Sequence, residues 1–178
     1  MKAIILLGAP GAGKGTIAEE LAKRGSYEHV STGDMLRVEV REGTELGRAA
    51  RSYMERGDLV PDELIIEIVR KRLVNAESET CLVFDGFPRN VAQAEALERE
   101  VVRQGGKVSH VFLLEVPERV LVERISGRRV CRRCGAVYHV RNRPPRQPGI
   151  CDVCGGELYQ RPDDNEETVL NRLKVYEE

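Results

Sequence analysis

The 178-residue chain has no tryptophan, and aromatic residues make up only 4% of it. In the arginine-rich stretch 128–161 the aromatics are Tyr138 and Tyr159 alone, too few for the interleaved stacking that single-stranded nucleic-acid binders use. An excess of one charge is also missing. Lys and Arg number 28 against 29 Asp and Glu, a net charge of −1, so no global field draws the chain to nucleic acid or to an anionic membrane. No apolar run approaches the roughly 20 residues that span a bilayer. Met1 leads directly into the first apolar run, leaving no room for a signal peptide. Internal repeats and low-complexity segments are absent too. These absences predict one cytoplasmic domain, large enough for a real core and expected to be a monomer, with neither nucleic acid nor membrane as partner.

What is present begins with Gly8-Ala9-Pro10-Gly11-Ala12-Gly13-Lys14-Gly15-Thr16. It follows the apolar run Ala3–Leu7 and precedes a helically spaced Ile17-Ala18-Glu19-Glu20-Leu21-Ala22. Strand, glycine-rich turn and helix are the context of a phosphate-binding P-loop. Glycines let successive backbone N–H groups curl around phosphate oxygens, and the helix N-terminus adds partial positive charge. A glycine-rich turn without a ligand is the plainer alternative. Gly15 stands where Ser or Thr normally holds magnesium, with Thr16 one place later.

Apolar runs at Ala3–Leu7, Cys81–Phe84 and Val111–Leu114, and a shorter one around His29–Val30, predict strands. Helical patterns cover Thr16–Arg24, Asp34–Glu42, Glu45–Arg56, Asp62–Asn75, Val91–Gln104 and Pro117–Ile125. Strands alternating with helices predict an α/β fold, a parallel sheet covered on both faces. Residues 32–60 and 130–160 interrupt the alternation and read as inserts over the ligand-binding edge of the sheet. A last helical pattern, Glu166–Glu178, stops without a C-cap, which leads us to expect a natural protein that continues further.

Cys131-x-x-Cys134 and Cys151-x-x-Cys154, separated by sixteen residues, have the spacing of a four-thiolate zinc site. In a reducing compartment such pairs hold metal rather than form disulfides, although two pairs of merely packed cysteines are the plainer alternative. A closed four-sulfur site has no open coordination position, so the metal is structural. Cys81, in an apolar strand, reads as a small buried hydrophobe. Between Arg128 and Arg161 eight arginines face only Asp152 and Glu157, a balance suited to clamping a small polyanion. Ser31-Thr32-Gly33-Asp34-Met35-Leu36-Arg37 offers a helix cap and an arginine one turn later. Asp85-Gly86-Phe87-Pro88-Arg89 ends a strand with an acid where P-loop enzymes order magnesium, then turns Arg89 to the same edge. Gln93, which follows, can pair bidentately with an adenine edge or simply face solvent.

Together GAPGAGKGT, STGDMLR, DGFPRNVAQ, GRR followed by the cysteine pairs, and RPDDNEETVLNRL closely resemble adenylate kinase of the long, zinc-containing bacterial type, in order and spacing from Met1 to Glu178. Gly15 is no departure from that family, whose loop has glycine there. The family's last strand and helix are missing. The resemblance implies a P-loop parallel sheet flanked by helices as core (1–30, 61–126 and 164–178), an α-helical AMP-binding insert (31–60) and a small zinc-binding lid (127–163). It implies ATP held by Gly11, Ala12, Gly13, Lys14, Gly15, Thr16, Arg124 and Arg128. AMP would be held by Thr32, Gly33, Arg37, Gly57, Val60, Gly86, Arg89, Gln93, Arg161 and Arg172. Lys14, Arg89, Arg124, Arg128, Arg161 and Arg172 would stabilise the transferring phosphoryl. Asp85 would order magnesium through water, Cys131, Cys134, Cys151 and Cys154 would hold zinc, and Asp163 and Asp164 match hinge acids of the lid. The implied reaction is reversible transfer of the ATP γ-phosphoryl to AMP, giving two ADP, with Mg2+ accompanying ATP. A zinc-ribbon nucleic-acid binder with an ATPase core and a kinase of another nucleoside monophosphate are the rival readings. The three histidines, His29, His110 and His139, receive no chemistry.

Overall fold

A computed structural model describes residues 1–77 and 79–177. Four parallel strands form the central sheet: β1 (Lys2–Gly8), β2 (Tyr27–Ser31), β3 (Cys81–Asp85) and β4 (Lys107–Leu114). Their order is β2-β3-β1-β4. β1 pairs in register with β3, Lys2 opposite Cys81 through Leu6 opposite Asp85. Strand β1 is apolar without alternation because both its faces are covered; Ala3 and Leu6 are buried, as are Leu82, Val83 and Phe84 of β3. Cover is incomplete over β4, where Val111, Phe112 and Leu113 are each at least half exposed. The expectation of a sheet covered throughout therefore holds for its centre and not for this edge.

Helices α1 (Lys14–Ala22), α4 (Asp62–Val74), α5 (Val91–Arg103), α6 (Glu118–Ser126) and α7 (Glu166–Glu177) flank the sheet. Between β2 and α4 lie α2 (Thr32–Glu42) and α3 (Glu45–Arg56). Ser31 caps α2 by accepting from Asp34 N at 3.3 Å, and Thr44 caps α3 by accepting from Gly47 N at 3.0 Å. Such caps satisfy N–H groups that the first turn leaves unpaired. The larger apolar cluster gathers β1, β2 and β3 with α2 to α5, through Val30, Leu36, Ile68, Leu73, Phe84 and Leu97. A second joins α6 to α7 through Leu121, Ile125, Val169 and Leu173, beside Ala9 and Ala12 of the P-loop.

The cysteine segment, read from sequence as an insert, contains a second sheet. Strands β5 (Arg128–Cys131), β6 (Val137–His139) and β7 (Leu158–Tyr159) pair antiparallel in the order β6-β5-β7. Strands of four, three and two residues are too short to display a two-residue period.

Candidate active site

The loop after β1 takes the shape that its glycines allow. Gly13 caps α1 from a left-handed φ of 103°, a conformation that costs other residues dearly. Lys14 Nζ lies back over the loop, donating to the Gly8 and Ala9 carbonyls at 2.7 and 3.0 Å. Burial pulls its pKa down to about 8; Asp85 opposes the shift, while Arg89, Arg172 and Arg128 add to it. Gly15 has a steric reason. A Cβ there would stand 3.1 Å from Asp85 Oδ2, so glycine lets this carboxylate come against the phosphate loop. His29 Nε2 stands 3.5 Å from the same oxygen but has no hydrogen-bond partner among the described residues. Burial lowers the His29 pKa and Asp85 more than offsets it, leaving a net rise.

Five arginines, from three elements and two connecting segments, converge beyond the loop. Arg37 of α2 pairs with Asp34 at 2.9 Å and approaches Asp163 at 3.8 Å. Arg161, before the short 3-10 turn Pro162–Asp164, reaches Asp34 at 2.9 Å. Arg172 of α7 bonds Asp163 at 2.9 Å and stands 3.8 Å from Asp164. Arg128 grips Asp164 through two nitrogens, Nε at 2.8 Å and Nη2. Arg89 donates Nε to the Gly86 carbonyl at 2.9 Å and has no ion pair among the described residues. Its guanidinium lies deep in the fold, where burial lowers its pKa, yet faces open cavity, so by surface area the residue counts as exposed. Burial first, then neighbouring guanidinium groups, pull Arg161 down to about 10; in Arg172, burial and the same repulsion outweigh Asp163 and reach about 10. Asp34 behaves inversely. Burial would raise it, but Arg37 and Arg161 hold it at about 2. Buried cations that depress one another mark a place built for a polyanion.

All the residues expected to meet nucleotide line one cavity of about 980 Å³. That volume is at the upper end for small-molecule sites. The P-loop lines it together with Arg124, which donates to the Ala12 carbonyl at 3.3 Å. Thr32, Gly33, Arg37, Gly57, Val60, Gly86, Arg89 and Gln93 line it as well. The Thr32 hydroxyl donates to the Gly86 carbonyl at 3.2 Å. Gln93 is buried rather than solvated; its Oε1 accepts from Arg89 N at 2.8 Å and its Nε2 donates to Asp62 Oδ1 at 2.7 Å. Asp163 and Asp164, matched only to hinge acids, are here the counter-ions of Arg128 and Arg172.

Several cavity residues had no signal in the sequence. Val137, Tyr138, His139, Asn142 and Arg143 line it from the cysteine segment, and Glu19 and His29 from the core. His139 accepts from the Arg141 and Asn142 amides at 3.0 Å each through Nδ1, and its Nε2 lies 3.2 Å from the Glu123 carbonyl. It fastens the cysteine segment to α6, and a lone histidine between Tyr and Val gives no hint of that. Cys81 is half-buried at the start of β3, slightly more open than expected.

The sulfurs of Cys131, Cys134, Cys151 and Cys154 all lie within 4.8 Å of one another, two pairs at 3.5 Å. Four sulfurs bound at about 2.3 Å to one tetrahedral centre stand about 3.8 Å apart, so the cluster fits a metal. Each knuckle repeats one turn: Gly135 N donates to the Cys131 carbonyl at 3.1 Å and Gly155 N to that of Cys151 at 2.9 Å. Arg133 N points at Cys131 Sγ at 3.4 Å. A Cβ on Gly156 would stand 2.9 Å from Cys131 Sγ, so the cradle has room for sulfur and metal only.

Among the described residues no helix is long and apolar enough to cross a membrane. The adenylate kinase family profile matches residues 6–178. An adenylate kinase of Caldicellulosiruptor bescii is 57% identical over 173 residues, 97% of this chain and 80% of that protein. One of a Geobacillus species is 53% identical, covering 97% of this chain and 80% of its own. One of Archaeoglobus fulgidus is 51% identical, covering 98% and 81%. The chain belongs to the adenylate kinase family.

Proposed function

We propose that the chain transfers the ATP γ-phosphoryl reversibly to AMP, giving two ADP, with both nucleotides in the one cavity. The observation that carries this reading is that one cavity is lined both by the P-loop with Lys14 and by two further arginines, Arg37 and Arg89, suited to a second phosphate. An oxygen of the AMP phosphate attacks the γ-phosphorus as the bond from that phosphorus to the β–γ bridging oxygen breaks, and ADP leaves with the electron pair. No general base is required, because a phosphate oxygen is already a nucleophile. The protein supplies in-line positioning and cations around spreading charge.

In this reading Gly11, Ala12, Gly13, Lys14, Gly15 and Thr16 hold the donor phosphates, with Arg124 and Arg128 on the same nucleotide. Arg37 and Arg89 hold the acceptor phosphate, and Arg161 and Arg172 span the two. Arginine's planar fork suits phosphate oxygens better than a point charge. Arg37, Arg161 and Arg172 exchange Asp34 and Asp163 for phosphate when substrate arrives. Thr32, Gly33, Gly57, Val60, Gly86 and Gln93 enclose the acceptor nucleoside. Magnesium arriving with the donor would supply neutralising charge at its phosphates. Asp85, set against Gly15 with His29 Nε2 at 3.5 Å, is the group to order its water.

Residues 31–60 act as the AMP-binding insert and 127–163 as a lid on the core formed by 1–30, 61–126 and 164–178. Lid closure excludes the water that would otherwise hydrolyse ATP. Zinc in the four-cysteine site gives the lid rigidity and takes no part in the chemistry. The protein works as a monomer, since one chain supplies both halves of the site, in the reducing cytoplasm where its cysteines form no disulfides and four of them are left to hold metal. The test is disproportionation: ADP and magnesium alone should yield ATP and AMP. Turnover that required added DNA or RNA would instead favour a nucleic-acid-dependent ATPase.

A further inference from the structure

Gln93 is held at both ends by partners whose hydrogen-bonding sense admits no choice. Its Nε2 faces Asp62 Oδ1 at 2.7 Å, and its Oε1 faces the Arg89 amide nitrogen at 2.8 Å. An ionised carboxylate only accepts and a backbone N–H only donates, so the carboxamide stands in one orientation. We propose that Asp62 is a positioning residue that locks this orientation and thereby makes the acceptor site prefer a 6-amino purine over a 6-oxo purine. The inference rests on reading Gln93 as a contact of the acceptor base.

The chemistry follows from what remains on the amide. After those two bonds it keeps one N–H and one oxygen lone pair, a donor and an acceptor in fixed order. A 6-amino purine offers a ring-nitrogen acceptor beside an amino donor, which matches on either edge. A 6-oxo purine in the same pose sets its oxygen against Oε1, acceptor against acceptor. A freely rotating glutamine would turn over and serve both bases; a locked one cannot. Asp62 is itself fixed, because Asn90 Nδ2 donates to its two oxygens at 3.1 and 3.2 Å. Asn90 Oδ1 also accepts from Gln93 N at 2.8 Å, so the same small network holds the glutamine's backbone and side chain. Asp62 opens α4 and does not line the cavity; it acts through Gln93.

The experiment compares kcat/KM for AMP and GMP in the wild type, Asp62→Ala, Asp62→Asn and Gln93→Ala, below the melting temperature of the least stable variant. Asp62→Ala should lower the AMP-to-GMP ratio about ten-fold, through both a loss with AMP and a gain with GMP. Arg89's amide keeps half of the lock, so preference falls without vanishing. Donor KM and kcat at saturating AMP should stay near wild type. Asp62→Asn, which retains an oxygen acceptor of the same shape, should restore most of the ratio. If Asp62→Ala fails to fold, Asp62→Ser, whose hydroxyl accepts or donates, reads the same quantity. A ratio unchanged in Asp62→Ala while Gln93→Ala collapses it would overturn the role of Asp62 and leave the base contact standing. Equal losses with both nucleotides would mean support without selectivity and would also overturn it. A ratio unchanged in Gln93→Ala would overturn the base contact and the inference together.

Discussion

Around β1 and β3 the chain packs Ala3, Leu82, Val83 and Phe84 with no surface left to solvent, whereas the segment from Arg128 to Arg161 gathers a small apolar cluster of Cys131, Tyr138, Cys151 and Leu158, with Val130 buried beside it in the chain. The first is a core in the ordinary sense, stabilised by removing apolar area from water. The second is too small to hold a fold that way and makes up the difference with four converging sulfurs. The contrast is what the proposed lid would need in order to move separately. A lid built on its own staple would stay one body, and polar contacts tie this segment to the core: the His139 latch on Glu123, and Arg128 on Asp164.

Removing metal should break this contrast most strongly. Structural zinc stabilises small modules by about 10–16 kcal/mol at neutral pH, so chelation should collapse amide-exchange protection across β5, β6 and β7 and lower the melting temperature. Protection of β1 and β3 should persist. Equal loss in both regions would show that the lid is no separate unit, and no loss in either would remove the metal from the argument.

Arg128→Ala tests the root of the lid. Arg128 opens the lid and Asp164 follows its end, so this pair closes the segment at its base. The substitution leaves Asp164, fully buried, with Arg172 at 3.8 Å as its remaining cation. Breaking one side of a buried pair costs about 3–5 kcal/mol, and the lower end is expected because Arg172 can close in. Calorimetry of Arg128→Ala beside Arg128→Ala/Asp164→Asn should show the second change recovering much of the loss. Additive losses would mean that the two side chains are not coupled in the fold.

The same division explains what the sequence disclosed. The P-loop was legible because phosphate binding needs glycines at fixed offsets between a strand and a helix, and those needs leave a local signature. The four cysteines were legible for a like reason of spacing. The strands of the lid were not, since two to four residues carry no period. Nor was His139, whose work is to accept two backbone amides three-dimensionally and whose sequence neighbours are ordinary. Asp62 reads as a helix-opening acid and nothing more, because its partner Gln93 is 31 residues away. Local constraints are written locally; contacts closed by topology are not.

Within the core site, Arg89→Lys replaces a fork that reaches Gly86 and open cavity by a single ammonium. We expect kcat/KM for AMP to fall about 100-fold, in the range seen when one charge-stabilising donor is lost, with the KM for ATP little changed. Equal loss toward both nucleotides would place Arg89 between them instead of on the acceptor.

The smallest effect is a pH dependence that separates Lys14 from the lid altogether. Its folded pKa is about 8 against 10.5 for the ordinary side chain. Below pH 8 the fold carries a buried charge at full cost; as pH rises from 8 toward 10.5 the folded lysine releases its proton before the unfolded one, so the ligand-free protein gains stability from this group. Donor binding needs the charge and moves the other way. kcat/KM for ATP should decline above about pH 8, by up to ten-fold per unit, while stability measured without nucleotide rises over the same window. Bound polyphosphate restores the charge, so kcat should hold to higher pH than kcat/KM. Lys14→Gln should abolish both trends. A decline in kcat/KM that survives in Lys14→Gln would place the titrating group outside the P-loop lysine.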